Sequence, residues 1–289
     1  MKNEIAIIGK SVLGKELYDY LLNNNMQVKI ISRSDGISYE RETFKKALNE
    51  TKVVIWASGS YKNKETIWQE HVKNVEELVN SLRKEQKLIF TSSISVYGKR
   101  LMKEAKETDE INPDTTYAKA KAKGEEIAFS HKNSVILRLG VLYSHKYKAY
   151  QTMFSLVEKG LAVYFGDGNN NVPFTYLNDV LPCYEKAIKV NFDKNELFNV
   201  AGKGCKQIEA IKTLSEILGK KPIYVKMPKC IGIFCDLFNC FLNSEAIESI
   251  SSNRIINSDK AIKKLGFNET EIRKGIKIEV EKWKKMKGI

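Results

Sequence analysis

The 289-residue chain has no stretch approaching 18 uninterrupted apolar residues, so no segment reads as a membrane-spanning helix. Its opening, MKNEIAIIGK, lacks the basic, long-apolar, small-residue order of a signal peptide, and a cytoplasmic protein is expected. None of its five cysteines forms a CxxC pair, and Cys230, Cys235 and Cys240 stand five apart, which spreads them around a helix instead of converging them on a metal. Reduced thiols in apolar surroundings, and no metal site, are the expectation. Arginine is scarce, at seven of the 48 basic residues. The lysines behind the net charge of +13 are scattered through helix-like segments such as KKALNETK and KWKKMKG, with no basic stripe interleaved with aromatics. That pattern argues against a nucleic-acid partner and for solvated helix faces, with a general attraction for an anionic metabolite. Internal repeats and low-complexity linkers are also lacking.

What is present is an ordinary folded composition, 43% hydrophobic and 29% charged. Up to about residue 145, short apolar runs alternate with helical patterns, which predicts βαβ units and a parallel sheet. Strands are expected at Glu4–Ile8, Val28–Ile31, Val53–Ala57, Leu88–Ser92 and Val135–Leu139, and 37–39 leaves room for only a vestigial strand. The intervening helices fall at Lys15–Asn24, Arg41–Glu50, Lys64–Lys84 and Thr115–His131. The strands are β-branched or aliphatic runs without alternation, as when both faces are covered. Beyond 145 the pattern loosens into helices at Tyr150–Lys159, Asp179–Val190 and Ile208–Leu218, strands at Leu197–Val200 and Ile223–Val225, and a helical region over 229–250. The run CIGIFCDLFNCFL within it is too short to span a bilayer and carries Asp236 and Asn239, so a packed helix is expected. The fold class is therefore α/β, a Rossmann-type doubly wound parallel sheet with a smaller mixed α/β C-terminal substrate-binding region. Residues 1–145 are expected to form the sheet part, with 172–202 returning to it and 146–289 mainly a cap.

The first strand ends in Gly9-Lys10-Ser11-Val12-Leu13-Gly14, a GxSxxG turn that opens a helix. The first glycine permits the tight turn, the last lets helix and strand pack closely, and the small Ser11 still lets the backbone approach a pyrophosphate. Gly9, Ser11, Val12, Leu13 and Gly14 are thus candidate cofactor contacts. The second strand ends Ile31-Ser32-Arg33-Ser34, where Ser32 and Arg33 suit a 2′-phosphate through charge-assisted hydrogen bonds. NADP is the expected cofactor. The other arrangement, with Arg33 at the surface and Asp35 on the ribose, would select NAD.

Downstream, Phe90-Thr91-Ser92-Ser93-Ile94-Ser95-Val96-Tyr97-Gly98 is followed 24 residues after Ser93 by Tyr117, then Lys121. Tyrosine and lysine at i, i+4 share a helix face. A nearby ammonium favours tyrosinate, so the phenol can exchange a proton during hydride transfer, while a serine at a strand's carboxyl end can hydrogen-bond the reacting oxygen. Ser93, Tyr117 and Lys121 are the candidate catalytic residues, and Ser95 is a candidate substrate contact.

On these residues the chain resembles the extended short-chain dehydrogenases/reductases, the NAD(P)-dependent epimerase/dehydratase group that acts largely on nucleotide sugars. TSSISVYG is similar to that family's strand signature, and Tyr117 and Lys121 match its catalytic pair. The resemblance implies that Lys121 also holds the nicotinamide ribose, that Asn74 in HVKNVEELV gives structural support, and that Ala57 and Ser58 line the cofactor. VILRLGVLY, FGDGNNNVPFTYLNDV, FNVAGKG and KAIKKLGF look like the family's later landmarks. Arg254 stands near the family's diphosphate-binding arginine, which makes it a candidate substrate contact. The departures matter too. The glycine turn is one residue shorter than the usual GxxGxxG. Ile94-Ser95 replace the Asp-Glu of the 4,6-dehydratases, which argues against that reaction. Val141 stands for a substrate-binding asparagine, and Tyr143-Ser144-His145 for Tyr-Gly-Pro. The resemblance therefore implies an oxidoreductase or epimerase acting on a nucleotide sugar through a 4-keto species. A reductase of a small carbonyl compound and a non-catalytic dinucleotide sensor remain as alternatives. A homodimer through two helices of the first part is a further implication of the resemblance.

Overall fold

Ile5, Ala6, Ile7 and Ile8 offer no polar face, so a strand made from them needs cover on both sides. The computed structural model, which describes residues 4–59, 63–99, 103–228 and 244–288, supplies that cover. In β1 (Ile5–Ile8), Ile5 and Ile7 enter one core cluster and Ala6 and Ile8 the other. Around it lie β2 (Val28–Ile31), β3 (Val53–Trp56), β4 (Lys87–Ser93), β5 (Ser134–Leu139) and β10 (Glu196–Val200), in the parallel order β10-β5-β4-β3-β1-β2. One face is covered by α1 (Val12–Asn23), α7 (Leu177–Lys189) and α10 (Asp259–Leu265), through Leu17, Leu21, Val180, Tyr184 and Leu265. The other carries α2 (Arg41–Leu48), α4 (Asn74–Val79) and α5 (Thr116–Ser130), through Phe44, Leu48, Val75, Leu78 and Ala128.

The sheet stops at β2. Residues 37–39 form no strand; Tyr39 instead folds inward, stacked on Phe44 at 5.2 Å and edge-on to Trp56 at 5.7 Å. The single helix expected over Lys64–Lys84 is also broken. It runs as α3 (Lys64–Trp68), a π turn (Gln69–Lys73) and α4. Within the π turn, Glu70, His71 and Val72 are all buried, and such turns concentrate at functional sites.

The second half carries the strand expected at Ile223–Val225 and adds short strands that periodicity did not reveal. β6 (Val141–Tyr143) pairs in parallel with β9 (Phe174–Tyr176), and β7 (Leu161–Phe165) with β12 (Ile223–Met227). β8 (Asn171–Val172) pairs antiparallel with β11 (Cys205–Lys206). A separate core of Phe154, Val157, Ile211, Leu214, Val280 and Trp283 joins α6 (Lys148–Glu158), α8 (Gln207–Ile217) and α11 (Ile272–Lys287). α9 (Ser244–Ser251) also belongs to this half, whereas Cys230, Cys235, Cys240 and the run around them lie outside the described residues. Among the described residues no helix is long and apolar enough to cross a membrane.

Candidate active site

The glycine turn is built by close approach. Gly9 has φ +110°, and a Cβ there would sit 2.6 Å from the Ser58 backbone; one at Gly14 would sit 2.1 Å from the Gly9 carbonyl oxygen. No side chain fits at either place. Ser11 does more than stay small. Its hydroxyl caps α1 by accepting from the Gly14 N–H at 3.1 Å, and it donates to the Ala57 carbonyl at 2.8 Å, which ties the β1 turn to the end of β3. Serine immediately before a helical run is a cap signal, so this role was readable from the chain.

Beside that turn a cavity of about 590 Å³ opens at the carboxyl ends of β3, β4 and β5, where open α/β sheets bind ligands. Ser11, Leu13, Ala57 and Ser58 line it together with Ser93, Tyr117 and Lys121. Gly9, Val12, Gly14, Ser32 and Arg33 are not lining residues; they lie in the turn and at the end of β2 behind it. The two motifs, 80 to 110 residues apart in sequence, thus share one wall. Ser93 closes β4, and its hydroxyl accepts from the Ser95 N–H at 3.2 Å. Thr115 caps α5 by accepting from the Ala118 N–H, which sets Tyr117 and Lys121 one turn apart. The Lys121 ammonium donates to the Thr91 carbonyl at 2.7 Å and lies 5.8 Å from the centre of the Tyr117 ring. Only 3% of Lys121 is exposed, and burial pushes its pKa down to about 7, against the opposing pull of Glu125.

Behind Lys121 lies a buried polar network that sequence reasoning missed. Glu125, one turn further along α5, accepts from Ser92 at 2.5 Å and from Arg138 at 2.9 and 2.7 Å. Arg138 also donates to the Tyr97 hydroxyl at 2.7 Å, which in turn donates to Asn199 at 2.9 Å. The bidentate Arg138–Glu125 pair is almost wholly buried, and it links α5 to β5 directly beneath the site.

His71 was also missed. Its buried ring meets Tyr117 edge-on at 5.2 Å, lines the cavity, and would lie 3.1 Å from a Cβ at Gly59. Asn74 is buried and accepts from Gln69 at 2.8 Å. At the far edge, Arg33 forms an ion pair with Glu70, itself 1% exposed, and lies over the Tyr39 ring at 5.4 Å. Glu70 also accepts from Ser58 at 2.9 Å. Next to Arg33, the Ser32 and Ser34 hydroxyls are 2.9 Å apart, and Asp35 pairs with Lys10. Ser95 is buried and does not line the cavity. Arg254 is 1% exposed and donates to the carbonyls of Gly98 at 2.7 Å and Ser249 at 3.1 Å; it too lies outside the lining.

A dinucleotide fits these residues. The glycine turn leaves no Cβ at the two closest approaches, a helix N-terminus follows it, and the cavity continues from that turn to the buried lysine. Arg33, Ser32 and Ser34 supply donors at the end of β2.

A sequence profile of the NAD dependent epimerase/dehydratase family matches residues 5–201. No curated protein matches significantly. Among solved structures, UDP-glucose 4-epimerase from Thermotoga maritima, crystallised with UDP-glucose, is similar at TM-score 0.80 and 19% identity, covering 98% of this chain and 99% of that one. UDP-glucuronic acid 4-epimerase from Bacillus cereus, in complex with UDP-glucuronic acid and NAD, gives 0.79 at 19% identity over 98% and 99%. The dTDP-glucose 4,6-dehydratase of Bacillus anthracis, in complex with NAD, gives 0.77 at 16% identity over 98% and 96%. At such identities the likeness is one of fold.

Proposed function

We propose, from the premise that this chain belongs to the NAD dependent epimerase/dehydratase family, that it is an oxidoreductase or epimerase in which Ser93, Tyr117 and Lys121 work on a carbinol or carbonyl carbon. The observation that carries this reading is the meeting of those three side chains with the glycine turn around one cavity. When bound, a nicotinamide dinucleotide supplies or accepts the hydride. The chain's own residues handle the proton. Tyr117 gives it to, or takes it from, the substrate oxygen, and the Ser93 hydroxyl donates a hydrogen bond to the same oxygen. Lys121 stands close enough to Tyr117 for its ammonium to favour the phenolate.

For the substrate, the ligands of the similar structures support a nucleotide sugar handled through a 4-keto species. The test is a purified sample given UDP-sugars. Interconversion of a sugar pair without net cofactor use identifies an epimerase, stoichiometric loss of NADPH with a keto-sugar identifies a reductase, and the absence of both activities refutes the nucleotide-sugar form. A second form, a carbonyl compound without a diphosphate, is favoured by Val141 and its apolar neighbours in the cavity wall.

For the cofactor we keep NADP as the reading. Glu70 holds one edge of the Arg33 guanidinium, yet the side chain remains 54% exposed beside the Ser32 and Ser34 hydroxyls, a set suited to a 2′-phosphate. NADPH is then expected to bind about tenfold tighter than NADH, with Arg33→Ala bringing the two together. Equal or tighter NADH binding by the wild type selects NAD instead.

A further inference from the structure

We infer that the cap end of the cavity takes an uncharged, mainly apolar body, the chain or ring of an apolar ketone or secondary alcohol, and not a nucleoside diphosphate. The inference rests on the oxidoreductase reading above and chooses the second of its two substrate forms. Beyond Tyr117 the wall is built by Val141 from β6, Met153 and Phe154 from α6, Phe174 from β9, Ile211 from α8 and Ile276 from α11. Among the described lining residues there is no aspartate, glutamate or arginine, and the cations are two lysines. Lys121 stands at the catalytic end and bonds the Thr91 carbonyl. Lys148 is exposed at the first residue of α6.

The hydroxyl-bearing side chains of Tyr143, Tyr147, Tyr150, Thr152 and Ser249 also line this end, and its amide, Gln207, is engaged within the wall. Gln207 accepts from the Phe165 N–H at 2.7 Å and donates to the Ile250 carbonyl at 2.9 Å, so its amide bridges β7 and α9. Arg254, the cation the sequence offered for a diphosphate, is directed at the Gly98 and Ser249 carbonyls. The Tyr143 hydroxyl is buried against Gly275 without a hydrogen-bond partner among the described residues, and burial pushes the Tyr143 and Tyr150 phenols up. A mainly apolar wall of this kind disfavours a dianion that has no paired cation, and rewards apolar surface in proportion to its area.

The test is calorimetric titration of the full-length protein, saturated with whichever of NADP⁺ and NAD⁺ binds tighter, so that added ketone forms a complex without turnover. The probes are the 2-alkanones from butanone to decanone, UDP and UDP-glucose. Affinity is expected to tighten about three- to fourfold per added methylene along the series. UDP and UDP-glucose should show no saturable binding below about 1 mM. Ile211→Lys, or the milder Met153→Gln, should flatten the dependence on chain length while cofactor affinity stays within about twofold, since neither side chain lies at the dinucleotide turn. UDP-glucose binding more tightly than every ketone, or a ketone series flat in chain length, overturns the inference and leaves the oxidoreductase reading intact. Failure of both cofactors to bind overturns that reading and the inference with it.

Discussion

The two ends of the cavity are made of opposite materials. At the sheet end, the groups beside Tyr117 are held from behind: Lys121 by the Thr91 carbonyl, Ser93 by the Ser95 N–H, and α5 by the Glu125–Arg138 pair. At the cap end the wall is mainly aliphatic and aromatic, and its amide, Gln207, is tied to backbone. The contrast separates two tasks. Proton transfer needs side chains held within a few tenths of an ångström by hydrogen bonds. Holding the rest of a substrate needs only a shaped, dry surface, and that surface can change while the chemistry stays.

The largest expected effect breaks the chemical end alone. Tyr117→Phe should lower turnover about 10³-fold while cofactor affinity, read by NADPH fluorescence, changes less than about twofold. A variant that keeps more than a tenth of the activity would remove Tyr117 from the proton path. Next comes the support beneath it. Glu125→Ala leaves the Arg138 guanidinium buried without its carboxylate, and urea denaturation should show a loss of about 3–5 kcal/mol. A loss under about 1 kcal/mol would mean that Arg138 finds another partner. Smaller, and specific to pH, is the effect of Lys121. Its proton is held to 10.5 in the unfolded chain but only to about 7 in the folded one. Over the interval between those values the unfolded state binds more protons, so the wild type without cofactor should gain stability relative to Lys121→Met as pH rises from 7 to 9, by up to about 1.4 kcal/mol per unit. A difference flat in pH would show that Lys121 titrates normally. Smallest is Ser11→Ala, which removes a cap and should cost about 1 kcal/mol in the same measurement.

The sheet end was largely legible in the chain because its parts follow local rules. Short apolar runs marked all six strands of the sheet within a residue at either end, and Tyr117 and Lys121 announced themselves by helical spacing. The π turn was not legible, since it interrupts the 3.6-residue register and buries three consecutive residues, so Glu70 and His71 carried no periodic signal. Glu125 and Arg138 escaped because charged residues are by default surface residues, and only tertiary pairing reverses that. Arg254 was read from its neighbourhood in sequence, whereas its buried bonds to Gly98 and Ser249 depend on chain segments that meet only in the fold. The cap strands are two to five residues long and pair across separations of 33 to 62 residues, beyond the reach of any local pattern.

The central claim, that one wall brings Ser93, Tyr117 and Lys121 to a nicotinamide ring, is tested most directly by a crystal structure of the protein grown with NADPH. The account predicts C4 of the nicotinamide within about 5 Å of the Tyr117 hydroxyl, with the pyrophosphate over the Gly9–Gly14 turn. A ring bound elsewhere, or a Tyr117 oxygen about 10 Å or more from C4, would contradict it.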